Sequence, residues 1–269
     1  VSWDDGVTEP SRALTKGEFT AAYDTEYLLT VNSLYGEPSP GGWYKAGTKV
    51  TVSVPPVVEE PGTKRIFTKW TGSFSTTDPV KAYTLWKPAE VTALWRSEFQ
   101  LTVTSDYGSP SGAGWYDEGE TARITVEPLV EEAGTRHHFE SWSGAASGKL
   151  PSASVVMDEP AGVTAEWWNE HLVTLVSEHG TLTGSGWYTE GDTAVITSSE
   201  IDGFIIRHRF QGWEGDVSGI GLSAEFTVDG PKTVTALWQT DLTQLYILLG
   251  GLAVAAVVVV LILKRRPSP

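Results

Sequence analysis

Residues 136–144 read RHHFESWSG, and two variants of this block occur elsewhere in the chain. Lys64–Gly72 reads KRIFTKWTG and Arg207–Gly215 reads RHRFQGWEG. The tryptophans of the three blocks, Trp70, Trp142 and Trp213, are spaced by 72 and 71 residues. Self-similarity at a fixed period signals a repeat architecture, so this block sets the frame for reading the chain. Upstream of each block stands a Trp-Tyr pair, led by Trp43, Trp115 and Trp187 at a spacing of 72, each followed by Gly47, Gly119 or Gly191. Downstream, each unit closes on VTALW, VTAEW or VTALW, ending at Trp95, Trp167 and Trp238. These nine tryptophans are the expected structural core of the repeats, because an aromatic ring brings up to about 250 Å² of apolar area to a small core. The first residues match the end of a further unit. Phe19–Tyr23 aligns with Val91–Trp95, and Trp3 with Trp70.

Within a unit the apolar period is two, which means strands. Phe99, Leu101 and Val103 point one way while Gln100, Thr102 and Thr104 point the other. Tyr27, Leu29 and Val31 form the equivalent inward set, as do His171, Val173 and Leu175. After the glycine turn, Ala122, Ile124 and Val126 alternate again, matched by Val50, Val52 and Val54. In the closing strand Val163, Ala165 and Trp167 face inward. No convincing helical period occurs before residue 243, and SPGG, EEPG, EEAG and IDG mark turns. The pattern predicts a mainly β protein of tandem repeats, about 70 residues and about five strands each, a size that is marginal alone and gains from abutting its neighbours. The expected boundaries are 1–26 for the C-terminal half of a truncated repeat, then 27–98, 99–170 and 171–240. Arg96, Ser97 and Glu98 read as a very short linker between Trp95 and Phe99. Linkers that short restrict rotation, so the units should form a semi-rigid rod.

Residues 245–263, LYILLGGLAVAAVVVVLIL, break this pattern with an uncharged apolar run. As a helix the run reaches about 28 Å, close to the hydrocarbon thickness of a bilayer. In lipid every backbone polar group must be satisfied within the segment, so such a run crosses as a helix. Tyr246 sits where an interfacial aromatic belongs. Lys264, Arg265 and Arg266 follow the run and, by the positive-inside tendency, put the tail 264–269 in the cytoplasm and the repeats outside. The expected location is the cell membrane, crossed once. An exported N-terminal part needs a secretion signal, and Val1 is not an initiator methionine. The chain is therefore expected to be the C-terminal piece of a longer surface protein.

The net charge is −15. The tail carries three of the nineteen basic residues and none of the 34 acids, leaving −18 for the remainder. Such a surface repels nucleic acid, which is not an expected partner. Cysteine is absent, so no disulfide staples the repeats.

The order Y-x-L-T-V, Gly-rich loop, W-Y-x-x-G, R-x-x-F-x-x-W-x-G, V-T-A-x-W resembles the divergent internalin B-repeat modules of prokaryotic surface proteins, over nearly all of residues 1–239. The resemblance implies small β-grasp-like units in tandem that serve as stalks or adhesive spacers. Repeat one departs from it with Lys64-Arg65-Ile66-Phe67, and carries Trp86 where Asp158 and Asp229 stand in its sisters, a candidate contact point. No sortase-type sorting motif occurs, which leaves the helix as the anchor.

Motifs for chemistry read as loops. Gly184-Ser185-Gly186 lacks the spacing of a nucleophile elbow, and Gly144–Lys149 lacks a residue and the Ser or Thr of a phosphate loop. Gly219-x-Gly221-x-x-Ala224 is followed by strand-like EFTV rather than a helix. His137 and His138 are adjacent on a strand and face opposite ways, so with His208 they read as surface or Trp-packed residues. Glu59, Glu60, Glu131 and Glu132 lie in aligned loops. They are either calcium ligands between units or a solvated acidic loop that limits edge pairing. Gly251 and Ala255 form a small-xxx-small pair that permits self-association of the helix, or membership of an intramembrane complex. No enzyme activity and no cofactor are expected. Two functions remain open. One is a membrane-anchored extracellular stalk that anchors or presents a surface structure, as a surface-layer anchor, adhesin or scaffold. The other is the membrane-proximal stalk of a surface protease or solute-binding receptor whose functional domain lies upstream of Val1. The expected partners are the lipid bilayer and other cell-surface proteins.

Overall fold

The computed structural model describes residues 2, 3, 6, 8 and 20–264. Phe19, Arg265, Arg266, the side chain of Lys264, most of the 264–269 tail and much of the 1–26 unit lie outside the described residues. A short pair, β1 (Ser2–Trp3) and β2 (Ala21–Ala22), precedes the first full repeat. That repeat holds β3 (Glu26–Asn32), β4 (Gly42–Lys45), β5 (Thr48–Ser53), β6 (Val57–Glu60), β7 (Thr63–Gly72), β8 (Val80–Leu85) and the first half of β9 (Ala89–Ser105). The second adds β10 (Gly114–Asp117), β11 (Thr121–Thr125), β12 (Leu129–Glu132), β13 (Thr135–Gly144), β14 (Ser152–Val156) and the first half of β15 (Ala161–Val176). The third adds β16 (Leu182–Thr183), β17 (Gly186–Thr189), β18 (Thr193–Ser198), β19 (Ile201–Asp202), β20 (Arg207–Gly215), β21 (Ser223–Thr227) and β22 (Lys232–Asp241), and α1 (Thr243–Lys264) ends the order.

Each repeat is two-layered. In the first, the large sheet runs β4-β3-β9-β7-β6, with β3 and β9 parallel and the other neighbours antiparallel. The same order recurs as β10-β9-β15-β13-β12 and β17-β15-β22-β20-β19. A small antiparallel sheet supplies the second layer, the ribbon β5–β8 or β11–β14 in the first two repeats and the three-stranded β16-β18-β21 in the third. The resemblance to a grasp fold holds for the mixed sheet, but this small sheet forms the opposing layer and no helix occurs in any repeat among the described residues. Seven strands in each of the first two repeats and eight in the third, rather than about five, follow from the short β6-type hairpin, from counting the shared strands at both ends and, in the third, from β16.

The inward sets lie where period two puts them. Leu29, Val52, Val91 and Leu85 are fully buried in the first core, Leu101, Ile124, Val163 and Met157 in the second, and Val173, Ile196, Val234 and Val228 in the third. The block strands add a device that period two alone does not supply. Phe67 and Trp70 stand three apart, so a regular strand would point them to opposite faces. The register shifts between Phe67 and Lys69, between Phe139 and Ser141, and between Phe210 and Gly212. This β-bulge returns both aromatics to the core, where each pair packs at 5.0–5.6 Å between ring centres. The β1–β2 pair has the register of the block and closing strands, with Trp3 opposite Ala21 as Trp70 is opposite Ala93.

The expected linkers are absent. β9 runs unbroken through Arg96, Ser97 and Glu98, and β15 through Trp168, Asn169 and Glu170. The closing strand of one repeat is the opening strand of the next, and the boundary at Glu98/Phe99 falls inside it. Inward parity is continuous across the joint, from Val91 and Ala93 through Ser97 to Phe99 and Leu101. Helix α1 contains the whole apolar run, and its stretch Thr243–Leu263 is long and apolar enough to cross a membrane. None of that stretch is buried against the repeats, unlike the core helix of a globular fold. Tyr246 is exposed near its start.

Candidate functional site

The nine repeated tryptophans divide into three environments. Trp70, Trp142 and Trp213 are the core residues proper, 0–3% exposed. Each indole N–H donates to a loop carbonyl, Pro79, Leu150 or Gly221, at 3.3, 3.1 and 2.9 Å. A buried indole donor left without an acceptor would cost free energy, so the loop after the block is fixed to the ring.

Trp95, Trp167 and Trp238 are half-buried at the edge of each core. Their N–H groups donate to the hydroxyls of Ser33, Ser105 and Ser177 at 3.1, 3.0 and 2.8 Å. Those hydroxyls donate in turn to the carbonyls of Tyr35, Tyr107 and His179. The loop so held lays an aromatic ring against the block strand. Tyr107 stacks on His137 at 3.6 Å and His179 on His208 at 3.5 Å, and in the first repeat the Arg65 guanidinium lies 4.7 Å from the Tyr35 ring. Gly108 and Gly180 close this loop at φ +69° and +72°, and a β-carbon there would sit 2.7 and 2.3 Å from the closing tryptophan.

Trp43, Trp115 and Trp187 are a correction to the expected core. Their tyrosine neighbours take the inward positions, and Tyr44, Tyr116 and Tyr188 donate to Pro40, Gly112 and Gly184 carbonyls. Strand alternation then turns the tryptophans outward, with Trp43 66% and Trp115 37% exposed. Two of these outward rings, Trp115 and Trp187, belong to the joints. β7 continues past its own repeat to pair Thr63 with Phe99 and Lys64 with Glu98, on the opening strand of the next. β10 pairs with the other side of that strand, so Lys64 reaches over it and its Nζ lies 4.1 Å from the centre of the Trp115 ring. At the second joint Arg136 does the same to Trp187, at 3.9 Å. Arg136 is aimed by Glu131, which accepts its Nε–H at 2.6 Å.

Two further ties cross each joint. The Gln100 amide donates to the Gly62 carbonyl and that of Leu172 to Gly134, both at 2.9 Å. The same glycines approach Pro160 and Pro231 of the following repeat, where a β-carbon would stand 2.8 and 3.2 Å from the ring. At the first joint Arg96 pairs with Glu98 at 2.5 Å and with Asp117, and its guanidinium is stabilised in charged form first by Glu98. At the second, Asn169 joins His137 to Glu190, with 2.7 Å on either side. His138 takes the opposite face, stacked on Trp168 at 4.1 Å and 2.9 Å from Glu170. The histidines thus pack on aromatics or take part in the joints.

Glu59, Glu60 and Glu132 are exposed on the hairpin tips, and Glu131 is engaged by Arg136. Among the described residues no group of three or more His, Asp or Glu side chains converges as a metal-ligand set. Trp86 is 69% exposed and lies over the Gly47 turn, where a β-carbon would be 2.8 Å from its ring. The GSG and GAASGK segments are loops, with Gly148 bridged to Trp142. Beside the first joint an open groove is lined by Leu34, Tyr35, Leu94, Trp95 and Glu118, and an equivalent one in the third repeat by His179, His208 and Trp238.

The last joint, between β22 and α1, is also tied. Asp241 accepts the Thr243 amide at 2.9 Å and pairs with Arg209 Nε at 2.8 Å. The Thr243 hydroxyl, then its amide and Arg209, hold the Asp241 carboxyl well below the usual carboxylate range. Gly251 and Ala255 are exposed on the helix surface.

The sequence model of one family, the divergent InlB B-repeat domain, matches twice in tandem, over residues 99–171 and 171–242, just over half of the chain. Neither a search of curated proteins nor one of solved structures returned a match.

Proposed function

We propose, on the premise that the chain belongs to the divergent InlB B-repeat domain family, that it is a membrane-anchored extracellular stalk with no catalytic role of its own. The observation that carries this reading is the shared strand at each joint. β9 and β15 make neighbouring repeats parts of one continuous sheet, backed by a cation over a ring and a hairpin seated on a proline. Such joints serve a protein that must hold a distance. Three repeats of 30–35 Å would project on the order of 100 Å from the membrane.

Helix α1 is the anchor in this reading, with the tail cytoplasmic and the repeats outside. The stalk then presents or tethers a surface structure, and its partners are other cell-surface proteins. The small face at Gly251 and Ala255 supports pairing of two anchors.

Small-angle scattering of residues 20–241 tests the rod. A maximum dimension near the sum of three repeats, unchanged by salt, is the expected result, and a compact or salt-dependent one overturns it. Protease added outside intact cells tests the orientation, since it should digest the repeats and spare the helix and tail.

A further inference from the structure

We infer that the hairpin Ile201–Arg207 of the third repeat enters the lipid interface beside α1 and gives the stalk a second membrane contact. This rests on the reading of α1 as membrane-spanning. The three repeats carry this hairpin at aligned places, and its chemistry changes only in the last. The first two tips read Glu59-Glu60-Pro61-Gly62 and Glu131-Glu132-Ala133-Gly134, and each is capped by the following repeat. The third reads Ile201-Asp202-Gly203-Phe204-Ile205-Ile206, and α1, not a further repeat, follows it. Phe204 is 81% exposed, with Ile205 and Ile206 exposed beside it.

Position selects lipid as the occupant. Phe204 and Ile205 line one groove with Gln244, Ile247 and Leu248 of α1. Those helix residues are where the apolar run begins, so a bilayer that covers Leu245–Leu263 has its near interface level with the hairpin. An apolar tip there inserts roughly 5–10 Å, into the headgroup and upper acyl region. Arg207 and Arg209 stand at the base of the tip. Arg207 Nε donates to the Phe204 carbonyl at 3.2 Å, which fixes the turn. Two contacts, a helix and a tip, define an orientation where a helix alone leaves the stalk to tilt.

The chain has no cysteine, so single labels report cleanly. In the full chain, reconstituted in phosphatidylcholine–phosphatidylglycerol vesicles with the repeats outside, an environment-sensitive fluorophore is placed at Phe204→Cys. Val254→Cys, in the helix, and Ala133→Cys, in the equivalent hairpin of repeat two, serve as comparators. The expected result is several-fold weaker iodide quenching at 204 than at 133, with strong quenching at 204 by a shallow lipid-borne nitroxide and at 254 by a deep one. Adding Phe204→Glu and moving the label to Ile205→Cys should restore iodide access. Equal iodide quenching at 204 and 133, with 254 still in lipid, overturns the inference and leaves the anchor standing. A label at 204 shielded from both quenchers means a protein covers the tip and also overturns it. Iodide access at 254 removes the anchor, and the inference with it.

Discussion

Trp142 and Trp115 belong to one repeat, recur with nearly one period and meet opposite surroundings. Trp142 is 3% exposed and fixes a loop carbonyl inside the second core. Trp115 is 37% exposed and receives Lys64 from the repeat before it. Repetition reports that a residue is needed in every unit, and does not report whether the unit itself or its neighbour uses it. Trp43 extends the series, being 66% exposed.

This contrast can be broken or sharpened by substitution. The largest effect should come from Trp142→Ala, which removes a fully buried ring and its hydrogen bond. A loss of about 3–5 kcal/mol is expected, read as faster amide exchange through β13 and β15. Gly180→Ala follows, because the new β-carbon meets Trp238 at 2.3 Å and the backbone sits at φ +72°. About 2 kcal/mol is expected from denaturant unfolding followed in the third repeat. Removing the cation at a joint, as in Arg136→Ala, should cost roughly 0.5–2 kcal/mol. A double-mutant cycle with Trp187→Ala should show coupling, and an additive pair would refute the stacking. Trp43→Ala is expected to stay within about 0.5 kcal/mol of the parent.

The joint to α1 has its own signature in pH. A carboxylate held low stabilises the fold above its unfolded value of about 3.9 and keeps doing so until pH falls through its depressed folded value. The Asp241–Thr243 contact should therefore survive at pH 4, where ordinary exposed carboxylates are half protonated. Exchange of the Thr243 amide should accelerate only below that, and in Asp241→Asn it should be fast at every pH.

Much of the architecture is legible in the residues. The period, the inward sets of the opening and closing strands, and the helix all follow from spacing and hydropathy. The joints are harder to see. Arg96-Ser97-Glu98 looks like a linker because it is polar, yet odd positions stay inward from Ala89 to Leu101. Unbroken parity was the available signal. The bulge was equally present, in the spacing of three between Phe67 and Trp70, which period two forbids unless a residue is inserted. Local pattern does not contain the pairing of Lys64 with Trp115, because that contact depends on which strands flank β9. Nor does it separate the outward tryptophan from the inward tyrosine of each Trp-Tyr pair, since both are amphipathic.

The parallel pairs at the heart of each repeat have a mechanical consequence. The chain enters a repeat along β3, β9 or β15 and leaves along the adjacent strand that runs the same way. Traction on the two ends would slide those neighbours past each other lengthwise, loading their hydrogen bonds together rather than peeling them singly. A tether built this way should yield repeat by repeat at high force, and the shared strands would pass the strain on undiminished until one domain gives.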